Sequence, residues 1–382
     1  MKIPGARFVT TLALAIAFLN AAATQLIHAQ SQGTTPVTTK TEGDGYTSYS
    51  LPAKNPVPPS APSYVALLLG GHGDVDEATR IFCSHTGGGD IVVLRATEAD
   101  EYNAEFHEIC PGNSVTTLVI ASRDGAMSAF VAEKLRAAHG IYLSGGDQSN
   151  YIRDWTHTPV QEIINSALAR SLPIGGISAG LAVQGEFVFS AMIDTVTSDE
   201  ALTNPYDPLV TLSRDFLVEP GMKGILTDSH FSQRERLGRS IAFLSRIVQD
   251  GWAAQIHGIG IDETTAVLLD ATGHAKVLGQ GAAYFMTLDH RPEICEWRKP
   301  LSVQNVNILK VQAAPNATFD FNSWTSPSAL SLAASVSEGK LLVTAASEHP
   351  RSNTRPKGSR FFSRSQTRSP VRNTAADDAP PS

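Results

Sequence analysis

The chain has 382 residues, of which 42% are hydrophobic and 18% charged, enough apolar material for one large or two modest globular domains. This composition excludes a chain that is disordered throughout. The formal net charge of −7 at pH 7 and an isoelectric point near 5.9 argue against nucleic acid as the main partner.

Residues 1–29 have the layout of a signal peptide. Basic residues precede an apolar run over residues 8–19, and small residues follow it. The run is too short for an ordinary transmembrane helix, so we expect a secreted or periplasmic protein with no stable membrane anchor. Cleavage is expected after Ala23 or Ala29, and an uncleaved amphipathic anchor is the alternative.

Short apolar runs alternate with helical patterns from Ser63 onward, after a Thr-, Ser-, Gly- and Pro-rich stretch over residues 30–62 that predicts an extended linker. Strands are predicted near residues 64–69, 91–94, 116–120 and 141–143, and helices near residues 76–84, 126–138 and 159–171. Such alternation indicates an α/β fold with a doubly wound, mostly parallel sheet.

The segment Gly176-Ile177-Ser178-Ala179-Gly180 follows a short apolar run and is typical of a nucleophile elbow. A tight strand-to-helix turn of this kind holds the serine in a strained conformation, and the flanking glycines let neighbouring segments approach. It also places the Ala179 N–H at a helix N-terminus, where the negative charge of an oxyanion is favoured. Because Gly-x-Ser-x-Gly also arises by chance, the rest of the chain has to support this interpretation.

Two glycine-rich turns precede the elbow. Gly70-Gly71-His72-Gly73 lacks the third glycine of a dinucleotide loop, so we interpret it as an ordinary turn. His72 and His85 lie near acids, but without metal-ligand spacing, and we expect neither a metal nor another cofactor. The second turn, residues 144–148, ends a strand on the same edge of the sheet as the elbow, and Gly146 is the candidate for a second oxyanion donor.

A strand that ends at His230 precedes a helix predicted over residues 233–248. A strand end just before a helix is where an α/β fold places site residues. The apolar stripe of this helix predicts that Arg234 flanks the buried face near His230 and that Arg239 points roughly away from it. A solvent-exposed face with Arg–Glu pairing is the alternative for all three arginines of this segment, Arg234, Arg236 and Arg239.

Residues 258–269 indicate a strand that two acids, Asp262 and Glu263, interrupt. An acid in an apolar strand needs a partner, and a histidine that it orients is one such partner. Residues 274–278 and 282–286 then predict a meander that closes one edge of the sheet.

The C-terminal part divides in two. Residues 309–347 predict a small β extension, and residues 348–382 predict a disordered basic tail whose composition favours a solubilising role over binding of an anionic polymer. Cys83, Cys110 and Cys295 allow one disulfide and one free thiol in an exported protein, without fixing the pairing.

Four motifs resemble those of the cyanophycinases and occur in the same order. They are Gly145-Gly146-Asp147-Gln148, Gly176-Ile177-Ser178-Ala179-Gly180, Asp228-Ser229-His230-Phe231 with the following Arg234, Arg236 and Arg239, and Gly260-Ile261-Asp262-Glu263. The cyanophycinases belong to a serine peptidase family that includes aspartyl dipeptidase and has a sheet like that of class I glutamine amidotransferases. The resemblance implies a catalytic domain over residues 63–308.

The resemblance implies a Ser-His-acid hydrolase in which Ser178 attacks a carbonyl and His230 transfers the proton. Glu263 is the acid implied by the matching motif, and Glu200 and Asp228 are the alternatives. The order Ser178, His230, Glu263 differs from that of α/β-hydrolases, which argues against an esterase or lipase of that fold.

The resemblance further implies cleavage beside a β-linked aspartate, in a peptide or a polyaspartate that carries arginines through β-amide bonds. The free backbone carboxylate of such a substrate suits the forked donors of Arg234 or Arg239 and the amide of Gln148. The turn at residues 70–73 and the long spacer between Ser178 and His230 depart from the commoner pattern, which leaves the substrate open.

Two other functions stay open. One is an aspartyl or isoaspartyl dipeptidase-like exopeptidase, and the other is a non-catalytic secreted binding protein on an amidotransferase-like scaffold. The presence of Ser178, His230 and Glu263 counts against the second. Dimers are common among such folds, although no feature of the sequence shows one.

Overall fold

Two mixed β-sheets, of ten and eight strands, carry the fold in the computed structural model, which describes residues 38–73, 75–97 and 101–345. In spatial order, the first sheet contains β1 (Thr39–Gly43), β2 (Tyr46–Leu51), β5 (Val115–Ile120), β4 (Ile91–Arg95), β6 (Gly140–Leu143), β7 (Ile174–Ile177), β3 (Val65–Leu69), β12 (Thr265–Asp270), β13 (His274–Gly279) and β16 (Thr318–Asp320). The second contains β18 (Lys340–Ala345), β17 (Leu330–Ser337), β15 (Val303–Gln312), β14 (Ala282–Leu288), β11 (Ile256–Ile261), β10 (Ile225–Asp228), β8 (Phe187–Phe189) and β9 (Leu212–Arg214).

Helices cover the central strands. Within the described ranges they are α1 (Asp76–His85), α2 (Glu101–Ile109), α3 (Arg123–Ala126), α4 (Ala129–Ala137), α5 (Gln148–Trp155), α6 (Pro159–Ala169), α7 (Ala179–Ala182), α8 (Ser198–Thr203) and α9 (Leu237–Gln249). None of the helices in these ranges is long and apolar enough to cross a membrane.

Strands β5, β4, β6, β7 and β3 are mutually parallel and form the centre of the first sheet. Their apolar runs are buried on both faces, as parallel strands between two helical layers require. One face packs on α1 and α2, and the other packs on α4, α6 and the second sheet. The α/β fold class is therefore confirmed, with antiparallel strands added on both sides of the parallel centre.

The single strand predicted over residues 258–269 is two strands in different sheets. β11 ends in the second sheet at Ile261, and β12 begins in the first sheet at Thr265. Between them the Asp262 carboxylate accepts hydrogen bonds from the Ser232 and Ala282 N–H groups, and Thr264 has a φ of 49°. The two acids thus mark the point where the chain crosses from one sheet to the other. The meander predicted over residues 274–286 does not form, because β13 and β14 belong to different sheets.

Residues 39–51, expected within the linker, instead form a hairpin of β1 and β2, and β2 pairs with β5. Their Thr, Ser and Tyr side chains suit a strand, and Tyr46 stacks on Phe130. At the other end, the expected domain boundary at residue 308 falls inside β15, and β17 and β18 continue the second sheet. The expected signal peptide and the expected disordered tail lie outside the described residues.

The disulfide that the sequence leaves unassigned joins Cys83 of α1 to Cys110, just after α2. Cys295 is a buried free thiol. The bridge ties together the two helices that cover one face of the parallel strands.

Candidate active site

Ser178 occupies a strained turn between β7 and α7, at φ 54° and ψ −110°. Its N–H donates to the Leu69 carbonyl at 3.1 Å, which ties the turn to β3. A Cβ on Gly180 would overlap the Leu143 backbone, so glycine there lets the start of α7 approach β6. A non-glycine residue held in this region of backbone space is typical of a functional site.

His230 faces Ser178 from the segment that follows β10, which ends at Asp228 rather than at His230 as expected. Its Nε2 lies 2.7 Å from Ser178 Oγ, and its N–H donates to the Gly70 carbonyl at 2.8 Å. The residue is 6% exposed. Gly71, at φ 116°, lies so close to the imidazole that a Cβ would overlap the ring. The turn at residues 70–73 therefore positions the histidine, a role missed when it was interpreted as an ordinary turn.

Glu263 completes a continuous line of hydrogen bonds. Its Oε1 lies 2.7 Å from His230 Nδ1, and its side chain is 22% exposed. Its N–H donates to Gln233 Oε1 at 3.0 Å, and the next N–H, of Thr264, donates to the Gly71 carbonyl at 2.9 Å. The sheet crossing thus brings the acid to the histidine, and Gln233 is a supporting residue that sequence reasoning missed.

The two alternative acids lie elsewhere. Glu200 closes a capping box with Thr197 at the start of α8. The Asp228 carboxylate is 3% exposed and accepts hydrogen bonds from Arg236, Arg239 and Ser240. Of the three candidate acids, only Glu263 contacts the His230 ring.

Burial lowers the pKa of His230 to about 4, although the hydrogen bond that the ring donates to Glu263 acts in the opposite direction. The positive charges of Arg234 and Arg236 lower it further. The imidazole is therefore neutral at pH 7. With Nδ1–H donating to Glu263, Nε2 is the acceptor for the Ser178 hydroxyl, as a general base must be.

The two candidate oxyanion donors belong to segments that flank Ser178. Ala179 is the first residue of α7, and Gly146 adopts a φ of 120° in the turn after β6. A Cβ on Gly145 would lie 3.5 Å from Ser178 Cβ, so this turn packs directly on the elbow. A Cβ on Gly146 would meet nothing within 4 Å, which leaves open space beside it. Gln148, which follows, donates from Nε2 to the Phe189 carbonyl at 3.2 Å.

Arg239 is not placed to bind a substrate. Its side chain is 3% exposed, and its Nε and Nη2 donate to the two oxygens of Asp228 at 2.9 and 2.6 Å. Its guanidinium also lies over the Phe189 and Phe243 rings. The prediction that Arg239 points away from the buried face was wrong because α9 is buried on nearly all sides and begins at Leu237, four residues later than expected.

Arg236 and Arg234 differ in how far their guanidinium groups are already paired. Arg236 donates from Nη1 to Asp228 Oδ1 and to the carbonyl and hydroxyl oxygens of Ser229. Although burial acts to raise the pKa of Asp228, Arg239 and Arg236 outweigh it and hold that pKa below its ordinary value. Arg234 is exposed and forms no ion pair with the residues that the structure describes. It is thus the arginine that stays available beside His230.

No group of three or more His, Cys, Asp or Glu side chains within the described ranges is arranged to hold a metal ion. The arrangement of Ser178, His230 and Glu263 can perform nucleophilic attack on a carbonyl with proton transfer by the histidine.

Comparisons with known proteins agree with this chemistry. The model of peptidase family S51 matches residues 94–213. A cyanophycinase of Synechococcus elongatus is 30% identical over 229 residues, which are 57% of this chain and 66% of that protein. A cyanophycinase of Trichormus variabilis is 27% identical over 270 residues, 65% of this chain and 84% of that protein.

One solved structure that resembles this chain is a peptidase from an acI-B1 Actinobacterium. It has a TM-score of 0.45 and 16% identity, and the match covers 61% of this chain and 96% of that one. By its family match and its relatives, the chain belongs to peptidase family S51 as a cyanophycinase-like member.

Proposed function

We propose that the protein is a serine peptidase that hydrolyses amide bonds beside β-linked aspartate, in a polyaspartate-type polymer or in peptides. The observation that carries this proposal is the unbroken line of hydrogen bonds from Ser178 through His230 to Glu263, with both contacts at 2.7 Å. The curated relatives named cyanophycinase support the substrate class.

In the first half-reaction, Ser178 Oγ attacks the substrate carbonyl carbon while His230 Nε2 takes the hydroxyl proton. The tetrahedral intermediate collapses as the C–N bond breaks, and His230 returns the proton to the leaving amine. Water then attacks the acyl-enzyme with His230 again as base, which releases the acid and restores Ser178. Glu263 holds the imidazole in the Nδ1–H tautomer and stabilises the imidazolium.

The developing oxyanion is assigned to the N–H groups of Ala179 and Gly146. Support comes from the position of Ala179 at the start of α7 and from the packing of the Gly145–Gly146 turn on Ser178. Preorganised backbone donors of this kind stabilise the charge that appears only in the transition state.

The free backbone carboxylate of the substrate is assigned to Arg234, with the Gln148 amide as a second polar contact. Arg234 is exposed, lies four residues after His230, and has its N–H bonded to the His230 carbonyl at 3.0 Å. A guanidinium matches a carboxylate with two parallel hydrogen bonds.

We further propose that the protein is exported. The layout of residues 1–29 supports this, and so does the Cys83–Cys110 disulfide, because such bonds persist in oxidising compartments. A pair of helices joined in this way would be unusual in a cytosolic enzyme of ordinary growth temperature.

The test is incubation of the purified protein with insoluble cyanophycin and, separately, with β-aspartyl-arginine, reading products by mass spectrometry. We expect dipeptide release from the polymer, and loss of that release in Ser178→Ala. Cleavage of short β-aspartyl peptides alone would instead establish a dipeptidase-like exopeptidase. The absence of both turnover and labelling of Ser178 by a serine-directed probe would contradict any hydrolase.

A further inference from the structure

A cavity of about 550 Å³ lies beside the catalytic centre, and Ser178, His230 and Glu263 are not among the residues that line it. It is bounded by α8, by the start of α9, by Tyr284 of β14 and by the turn between β17 and β18. It adjoins the active site through the turn at residues 231–236, which directly follows His230. Its volume is within the range of small-molecule sites, about 300–1,000 Å³.

The walls of this cavity are largely apolar. They are formed by Leu202, Phe231, Leu237, Tyr284 and Leu341. The Phe231 and Tyr284 rings pack with their centroids 4.9 Å apart and form one aromatic surface. Such a surface can bury the methylene stem of a long side chain while the charged end of that side chain reaches the rim.

The rim carries charges that the fold does not pair. Asp199 and Glu235 contribute carboxylates, and Lys340 contributes an ammonium group. All three residues are exposed, and none forms an ion pair with another residue of the described ranges. The remaining charge, Arg236, already donates to Asp228 and Ser229. The cavity therefore offers two carboxylates and one ammonium group to a ligand.

We propose that this cavity binds an N-acylated arginyl group with a free carboxylate. Its three methylenes would lie on the apolar walls, its guanidinium between Asp199 and Glu235, and its carboxylate against Lys340. The proposal rests on the proposed function, since arginyl branches of this kind would recur along the substrate polymer. The site holds a second branch while the first is cleaved at Ser178.

Most residues that line the cavity lie outside the segment that the family model matches, although Ser198, Asp199 and Leu202 lie within it. Gly339, Lys340 and Leu341 belong to the turn and strand that close the second sheet, and residues 94–213 are the matched segment. The backbone of the shared turn is fixed, because the Ser232 N–H donates to Asp262 Oδ1 at 2.9 Å. A branch held in the cavity would thus be held at a set position relative to His230.

The first experiment measures binding by calorimetry to the full chain carrying Ser178→Ala. The probes are N-acetyl-L-arginine, its C-terminal amide and N-acetyl-L-citrulline, which lacks the positive charge. Asp199→Asn should weaken binding of the acid and the amide about five- to tenfold, and Lys340→Ala should weaken binding of the acid alone. Citrulline should bind at least tenfold more weakly than arginine.

Matched controls remove the same charges far from the cavity. Asp44→Asn and Lys276→Ala alter exposed residues in the β1–β2 turn and in β13 and should leave all affinities unchanged. Equal affinities in Asp199→Asn and Asp44→Asn, or a Lys340→Ala effect that is the same for acid and amide, would overturn the proposal.

The second experiment separates this proposal from the proposed function. In protein with Ser178 intact, Asp199→Asn should raise KM for oligomers with several arginyl branches and leave kcat and the single-branch substrate unchanged. Turnover of both substrates with no change in KM would defeat the cavity site alone. If neither substrate is cleaved, the proposed function fails, and the binding measurement still decides whether the cavity takes an arginyl group.

Discussion

The imidazole of His230 lies directly against Gly71, where the absence of a side chain leaves room for the ring. Two further contacts fix this pair, since the Gly70 carbonyl accepts from the His230 N–H and the Gly71 carbonyl accepts from the Thr264 N–H. The turn after β3 thus binds both the segment that carries the base and the segment that carries the acid. It serves the catalytic geometry without contributing a reacting group.

Gly71→Ala is therefore expected to displace His230 and to reduce kcat by about a hundredfold, as a shift of about 1 Å in a catalytic group can. The added Cβ meets the ring, and the φ of 116° adds backbone strain of about 1–3 kcal/mol. Gly73→Ala is the control, because its φ of 131° is strained as well while the nearest atom to its Cβ is Thr264 Cγ2 at 3.6 Å. If the two variants lose activity to the same extent at comparable melting temperatures, backbone strain alone explains the Gly71→Ala loss, and the predicted displacement of His230 is wrong.

Ser178→Ala is expected to abolish hydrolysis, with a loss of at least about a thousandfold in kcat, and to leave the melting temperature close to that of the unchanged protein. The reason is that the hydroxyl makes its hydrogen bond to His230 and little else in the described structure. His230→Ala should likewise stop turnover and also stop labelling of Ser178 by a fluorophosphonate. Labelling that continues at the original rate would show that His230 is not the base.

The α/β class and the elbow at Ser178 could be predicted because local patterns carry them, namely buried apolar strands and a glycine on each side of a serine. The second sheet could not, since nothing local shows that β12 and β13 pair in the first sheet while β11 and β14, their neighbours in sequence, pair in the second. The same limit applies to Arg239, whose partner Asp228 decides its direction more than helical periodicity does. Tertiary contacts determine which charged side chains are left free to bind a substrate, and these contacts cannot be read from a single sequence.

The acid limb of the pH profile for kcat/KM is expected near pH 4 rather than near 6.5, because burial lowers the pKa of His230 to about 4. The neutral imidazole is the active form, so activity rises as pH increases through this value. The unfolded chain binds the histidine proton more tightly, so this residue makes the free energy of unfolding fall as pH drops from about 6.5 to about 4. An acid limb above pH 6, measured on a soluble β-aspartyl substrate, would contradict a buried neutral base.

Arg234→Ala and Arg239→Ala form a matched pair of single-arginine removals with opposite expected effects. Arg234 is exposed, so its loss should raise KM for substrates with a free backbone carboxylate more than for amidated analogues and should hardly change stability. Removing Arg239 leaves the Asp228 carboxylate buried with its main partner missing, which costs about 3–5 kcal/mol of unfolding free energy. KM values for the acid and its amidated analogue test the effect of Arg234→Ala, and urea unfolding tests the effect of Arg239→Ala. An unchanged unfolding free energy in Arg239→Ala would show that the buried ion pair is not structural, and equal KM changes for acid and amide in Arg234→Ala would remove Arg234 from the carboxylate site.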